Sequence, residues 1–170
     1  TEAEYTAIYN SMSVSRRVHI DKMKIKEDRM RSLAAGHILT GLLDEYGEKN
    51  VSLETLPNGK PILVGSDLYF SLSHSHEGVV AVVSKSPIGI DIEKVKPISD
   101  RLIDYVCNQK EKEYVLQGEK DKFYRFFTVW TAKEAFFKKS DGKASGVRAV
   151  DTIPLKKTVI KKEDFVITIL

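Results

Sequence analysis

The sequence is short of several things, and each shortage closes off a class of protein. Its 170 residues hold one cysteine, Cys107, so no intramolecular disulfide can form. That fits a reducing compartment, and a cytoplasmic location is the expectation. Four scattered histidines (His19, His37, His74 and His76) beside one cysteine make no structural zinc pattern. No apolar run approaches the ~20 residues that span a bilayer, and no charged-then-apolar leader opens the chain. The nucleotide loops Gly-x-x-x-x-Gly-Lys-Ser/Thr and Gly-x-Gly-x-x-Gly are both missing, as is the Gly-x-Ser-x-Gly of serine hydrolases. Surplus charge is also scarce. Lys and Arg number 27 against 24 Asp and Glu, a net +3. That balance is too even to argue for a nucleic-acid partner.

The remaining composition is that of an ordinary globular chain, long enough for one domain or two very small ones. Glu4–Tyr9 is rich in β-formers and predicts a first strand. A polar, basic stretch from Ser13 to Lys26 follows. Apolar residues from Leu33 to Leu43 recur at three and four, which predicts a helix from Asp28 to about Tyr46, stopped at Gly47. Leu56–Pro61 has turn composition. Leu68–Ser73, Val79–Ser84 and Ile88–Glu93 read as three strands, the first two a hairpin. A helical half runs from about Asp100 to Lys138, with breaks near Asn108 and Gly118. Asn108 and Glu111 resemble a capping box. Thr158–Ile160 and Asp164–Leu170 return to strand character. This order predicts an α+β fold rather than alternating βαβ units.

Three runs carry the chemistry. In Ile88-Gly89-Ile90-Asp91-Ile92-Glu93, alternation along a strand puts Asp91 and Glu93 on one face, about 7 Å apart. Two carboxylates so placed suit a hard divalent cation, or belong to a solvated edge strand. In Phe126–Lys138, a helix lines up Phe127, Trp130, Glu134 and Phe137. A carboxylate on an aromatic stripe is costly unless it is paired or bound to metal. Lys138, one turn on, is a possible partner for it in a surface pair. In Phe70–His76, Ser71, Ser73 and Ser75 share one strand face, and His74 stands between them. Adjacent strand residues point oppositely, so Ser73 and His74 make no catalytic dyad, whereas a hydroxyl and imidazole cluster suits phosphate. Arg16, Arg31 and Lys60 are, one at a time, surface charges.

Taken in order, these runs resemble the 4′-phosphopantetheinyl transferases, and among them the larger monomeric type that activates peptide and polyketide synthases. The resemblance rests on Arg31-Ser32-Leu33, Gly59-Lys60-Pro61, Phe70-Ser71-Leu72-Ser73-His74-Ser75, Gly89-Ile90-Asp91-Ile92-Glu93, and Trp130-Thr131-Ala132-Lys133-Glu134-Ala135-Phe136-Phe137-Lys138. It implies two similar α+β halves about a pseudo-twofold, residues 1–90 and 91–170, with the active site at their junction. It implies transfer of the phosphopantetheine arm of coenzyme A to a serine of an acyl or peptidyl carrier protein, releasing adenosine 3′,5′-bisphosphate. By the same resemblance Asp91, Glu93 and Glu134 hold Mg²⁺, with Mn²⁺ as a substitute. Glu134 or a metal-bound water is the base, and Lys138 contacts the phosphates. Glu111 matches a glutamate near the serine site, with helix capping as its other reading. Arg16, Arg31 and His74 clasp the 3′-phosphate, and Ser73, Lys60 and Pro61 lie along the nucleotide. A monomer acting without nucleic acid or membrane is implied. The chain beyond Lys138 is shorter than in the larger members, so a shortened second half is expected. A Mg²⁺-dependent phosphohydrolase and a coenzyme A-binding module without transfer activity are the other readings of this scaffold.

Overall fold

The computed structural model describes every residue except 13, 50, 56–60 and 143–145. Glu4–Tyr9 is not a strand. It lies inside α1 (Glu2–Ser11), where Thr1 and Glu4 close a capping box. Tyr5 stacks on Tyr9 one turn later, ring centroids 6.1 Å apart. Cap and stack satisfy this segment locally, which outweighs its β propensity. The basic stretch holds a second helix, α2 (Val14–Asp21). The long helix predicted next is α3 (Lys26–Glu45), with Leu33, Leu39 and Leu43 buried. Burying each leucine is worth roughly 1.5–3 kcal/mol. Gly47 ends the helix with φ +80°. There the Glu48 N–H reaches back to the Leu43 carbonyl at 3.0 Å.

Strands β1 (Ser52–Thr55) and β2 (Pro61–Val64) form an antiparallel pair. The expected turn between them lies outside the described residues apart from Pro61, which opens β2. β3 (Tyr69–Ser75) and β4 (Gly78–Ser84) form the predicted hairpin, with His76 in the left-handed region at φ +54°. β5 (Ile90–Lys94) joins a different sheet, of order β5-β7-β6, with β6 (Thr158–Lys162) and β7 (Phe165–Ile169). The helical half resolves into α4 (Asp100–Val106), α5 (Gln109–Val115) and α6 (Lys122–Lys139), broken where expected.

Two apolar cores result. Leu39, Leu43, Phe70 and Val83 pack α3 on the hairpin. Ile103, Val106, Val115, Phe126, Phe127, Val129 and Val166 pack α4, α5 and α6 on β7. Thr131 on α6 is hydrogen-bonded to Thr168 on β7 at 2.7 Å beneath that second core. The fold is α+β, as expected.

A buried ion pair fixes the outer side of α6. Glu111 and Lys133 are both 0% exposed, with Lys133 Nζ 2.9 Å from Glu111 Oε2. Glu111 closes the α5 capping box through the Asn108 N–H at 2.9 Å. Its Oε1 accepts from the Thr152 N–H at 2.9 Å and the Thr152 hydroxyl at 2.8 Å. Lys133 also donates to the Val150 and Arg148 carbonyls. One partner without the other is a desolvated charge. Glu111→Ala is therefore expected to cost about 3–5 kcal/mol of folding free energy. Urea denaturation of the two proteins measures the loss.

Candidate active site

A cleft of about 810 Å³ opens between α2 and the start of α3 on one side and β3, β5 and α6 on the other, within the usual range for a ligand site. β5 supplies Asp91 and Glu93, α6 supplies Trp130, Glu134 and Lys138, and β3 supplies Leu72, Ser73 and His74. The strand and helix can share the site because their backbones nearly touch. A Cβ at Gly89 would lie 1.9 Å from the Ala135 carbonyl oxygen, so only glycine fits there. Gly89 also exchanges 3.0 Å backbone hydrogen bonds with Leu170, extending the β5–β7 ladder up to this contact.

Lys138 reaches across that contact. Its ammonium donates to Asp91 Oδ1 at 2.8 Å, to the Ile90 carbonyl at 3.2 Å and to the Leu72 carbonyl at 3.3 Å. The lysine thus ties α6 to β5 and β3. Asp91 Oδ1 also accepts from the Ser73 hydroxyl at 2.7 Å. Its other oxygen, Oδ2, is buried without a hydrogen-bond partner. Glu93 accepts from the Ser75 hydroxyl at 2.8 Å. Burial raises the pKa of Glu134 above the ordinary carboxylate value, Asp91 and Glu93 add to the rise, and Lys138 opposes it. Three carboxylates thus face one cleft at mutual cost.

That arrangement fits a hard divalent cation. Every donor is an oxygen, one buried oxygen lacks a partner, and the repulsion is of the kind that a cation relieves. Among the described residues, no three acidic, His or Cys side chains are drawn together into a ready-made cage.

The other wall of the cleft is basic. Arg16 lines it and donates to the Ser32 carbonyl at 2.8 Å and the Ser32 hydroxyl at 3.0 Å. Burial lowers its pKa. His74 lines the cleft with its side chain exposed, and Pro61 lies on the rim. Arg31 borders this wall without lining it. It is paired with Asp28, which does line it, and donates to the His76 carbonyl at 3.1 Å. Lys60 lies outside the described residues. Glu111 is a correction of place. Both its oxygens are engaged in the buried network on the outer side of α6, and it does not reach the cleft. Its capping reading is the one the geometry realises.

Sequence reasoning missed His19, Met23, Lys24 and Ile25, which α2 and the following turn bring to the cleft. The basic run from Arg16 to Lys26 was their signal. In sequence it is an undifferentiated polar stretch, and the helix inside it is a structural finding.

The comparisons with known proteins agree with this geometry. Residues 87–165, which contain β5, α4, α5, α6 and β6, match the family model of the 4′-phosphopantetheinyl transferase superfamily. The 4′-phosphopantetheinyl transferase psf-1 of Bacillus pumilus is 31% identical over 133 residues, 75% of this chain and 57% of that protein. The 4′-phosphopantetheinyl transferase Sfp of Bacillus subtilis (strain 168) is 31% identical over 118 residues, 66% of this chain and 53% of that protein. The 4′-phosphopantetheinyl transferase HetI of Nostoc sp. is 28% identical over 172 residues, 92% of this chain and 70% of that protein. Motifs, fold and matches together make the chain similar to the 4′-phosphopantetheinyl transferase superfamily, with the family-model match lying over β5, α6 and β6. It spans little more than half the length of the first two relatives, 57% and 53%. No helix among the described residues is long and apolar enough to cross a membrane.

The electrostatic cost at Glu134 gives a prediction. Glu134→Gln removes a charge that burial and two neighbouring carboxylates disfavour. In EDTA its thermal midpoint is expected above that of the wild type by about 2–4 °C, the shift of ~1 kcal/mol in a chain this size. Excess Mg²⁺ is expected to raise the wild-type midpoint more than the variant's, because only a site that binds the ion gains by mass action. Thermal denaturation with and without Mg²⁺ reads both.

Proposed function

We propose that this chain transfers the 4′-phosphopantetheine arm of coenzyme A to a serine hydroxyl of an apo carrier protein. The observation that carries the reading is the cleft itself. One cavity brings the acidic trio Asp91, Glu93 and Glu134 together with Lys138 and a basic wall of Arg16 and His74. Coenzyme A has two separated anionic groups, a pyrophosphate and a 3′-phosphate. The basic wall suits the 3′-phosphate, through charge-assisted hydrogen bonds from Arg16 and His74. Arg31 and Lys60 belong to the same task by their place in the motif, and Pro61 borders the nucleotide.

In this reading the carrier serine oxygen attacks the β-phosphorus. The bond from that phosphorus to the bridging oxygen breaks, and adenosine 3′,5′-bisphosphate leaves. The serine proton passes to a base on the acidic side of the cleft, and Glu134 is the proposed residue. Lys138, held against Asp91, places a positive charge beside the phosphoryl oxygens. Asp91, Glu93 and Glu134 would hold Mg²⁺ or Mn²⁺, which when bound neutralises pyrophosphate charge and polarises the phosphorus. Both halves of one chain furnish the site, so a monomer acting as a pseudo-dimer, divided near residue 90, is the proposed unit. The proposed place of action is the cytoplasm.

The test is direct. The protein is incubated with coenzyme A, Mg²⁺ and apo carriers of fatty-acid and peptide type, and the carriers are weighed by mass spectrometry. Addition of the phosphopantetheine mass to the carrier serine is expected. Failure across all carriers would sink the reading. Glu134→Ala is expected to abolish transfer with the fold retained. His74→Ala is expected to raise the coenzyme A KM about tenfold, the loss of roughly one charge-assisted hydrogen bond, with a smaller change in kcat. With 3′-dephospho-coenzyme A the same substitution is expected to change little, because the partner group is gone.

A further inference from the structure

β3 and β5 lie side by side yet share no backbone ladder, since they belong to different sheets. At the two ends of β5, Gly89 and Val95 send their N–H groups to Leu170 and Asp164 on the β7 side, at 3.0 and 2.6 Å. The alternate amides of Ile90 and Lys94 therefore face the other edge, toward β3. No strand carbonyl takes them there. The Ile90 N–H donates to the Ser71 hydroxyl at 3.1 Å, and the Lys94 N–H donates to the Ser75 hydroxyl at 3.3 Å. Ser71, Ser73 and Ser75, all buried, form a hydroxyl seam in place of a ladder.

The seam also sorts the carboxylate oxygens. A serine hydroxyl has one proton to give. Ser73 gives its proton to Asp91 Oδ1, and Ser75 gives its own to Glu93 Oε2. Ser75 is locked further, because its oxygen accepts from Lys94 N–H and lies 3.2 Å from His76 Nδ1. With Lys138 also on Asp91 Oδ1, the protein occupies one oxygen of Asp91 and leaves buried Oδ2 without a partner. Glu93 likewise has a protein hydrogen bond on Oε2. Among the described residues, Ser71 makes no hydrogen bond to either carboxylate; its oxygen takes the Ile90 N–H.

We propose that Ser73 and Ser75 are positioning residues that fix Asp91 and Glu93 in the orientation a divalent cation requires, while Ser71 only joins the strands. This rests on the transferase reading for the use of the cation, but not for its binding. Ser75 is the sharper test, because Ser73 also lines the cleft where substrate would sit.

The experiment is Mn²⁺ titration of the metal-free full chain, with free Mn²⁺ read by electron paramagnetic resonance. Ser75→Ala is expected to weaken Mn²⁺ binding by about 10-fold or more, as loss of a hydrogen bond to a metal-ligating carboxylate does. Ser75→Thr keeps the hydroxyl and is expected to restore most of the affinity. Ser71→Ala is expected to lower the thermal midpoint while leaving the Mn²⁺ affinity as in the wild type. Circular dichroism checks that each variant is folded, and the threonine variant carries the test should the alanine variant unfold. Equal Mn²⁺ affinity in Ser75→Ala and wild type overturns the proposal. So does a loss in Ser71→Ala as large as in Ser75→Ala, or no Mn²⁺ binding by the wild type. The Ser75→Ala deficit in a protein that modifies no carrier would uphold the positioning role and remove the transferase reading. Unchanged Mn²⁺ affinity in a protein that does modify carriers would do the reverse.

Discussion

The approach of β5 to α6 is the constraint on which the cleft depends. At Gly89 the strand comes so near the helix that a methyl group would occupy the Ala135 carbonyl. A side chain there would force the two backbones apart and carry Asp91 and Glu93 away from Glu134. Lys138 exploits the same closeness. Its ammonium reaches Asp91 and two main-chain carbonyls on different strands, so one side chain holds three elements in register. A partly buried ion pair is a poor source of net stability after desolvation. Its value here is geometric, since it decides where the acidic strand sits relative to the helix.

α6 has two sides with opposite tasks. Lys133 and Glu134 are sequence neighbours, and neighbours on a helix point about 100° apart. Lys133 is directed away from the cleft, into the network with Glu111 and Thr152, where every charge is answered. Glu134 is directed into the cleft, where its charge is opposed by burial and by two carboxylates. The satisfied side anchors the helix so that the unsatisfied side can be held in place. This is the pattern expected where a fold retains unfavourable electrostatics at a functional site and compensates elsewhere.

Much of this was legible in the sequence, and the exceptions have physical causes. The stripe of α3 leucines, the hairpin, the acidic face of β5 and the tail strands follow from periodicity alone. Ser71, Ser73 and Ser75 read correctly as one face, but alternation cannot say what a face meets, and their partner strand is distant in sequence. α1 was misread because tyrosine, threonine and isoleucine favour strands, whereas the Thr1 cap and the Tyr5–Tyr9 stack act only once a helix exists. α2, within the polar, basic stretch that follows, is likewise a structural finding, and with it the cleft positions of His19 and Lys24. Glu111 carried two readings because a capping glutamate and a catalytic glutamate look alike in one dimension. Its separation from the cleft by the thickness of α6 is a tertiary fact.

The near-neutral charge count acquires a meaning once the charges are placed. The cleft gathers Asp91, Glu93 and Glu134 from β5 and α6 on one side, with Lys138 among them, and Arg16, His19, Lys24 and His74 on the other, with Asp28 of α3 paired to Arg31 there. A simple anion would gain from the basic wall and lose against the carboxylates. A lone cation would meet the reverse. On the proposed reading, what gains from both is a ligand with two anionic groups far enough apart to be treated differently, one met by Arg16 and His74 and one reached through a cation on the acidic side. Net charge cannot register such an arrangement, because the two walls cancel in the sum. The separation of sign within one cavity, rather than the amount of charge, makes the cleft selective.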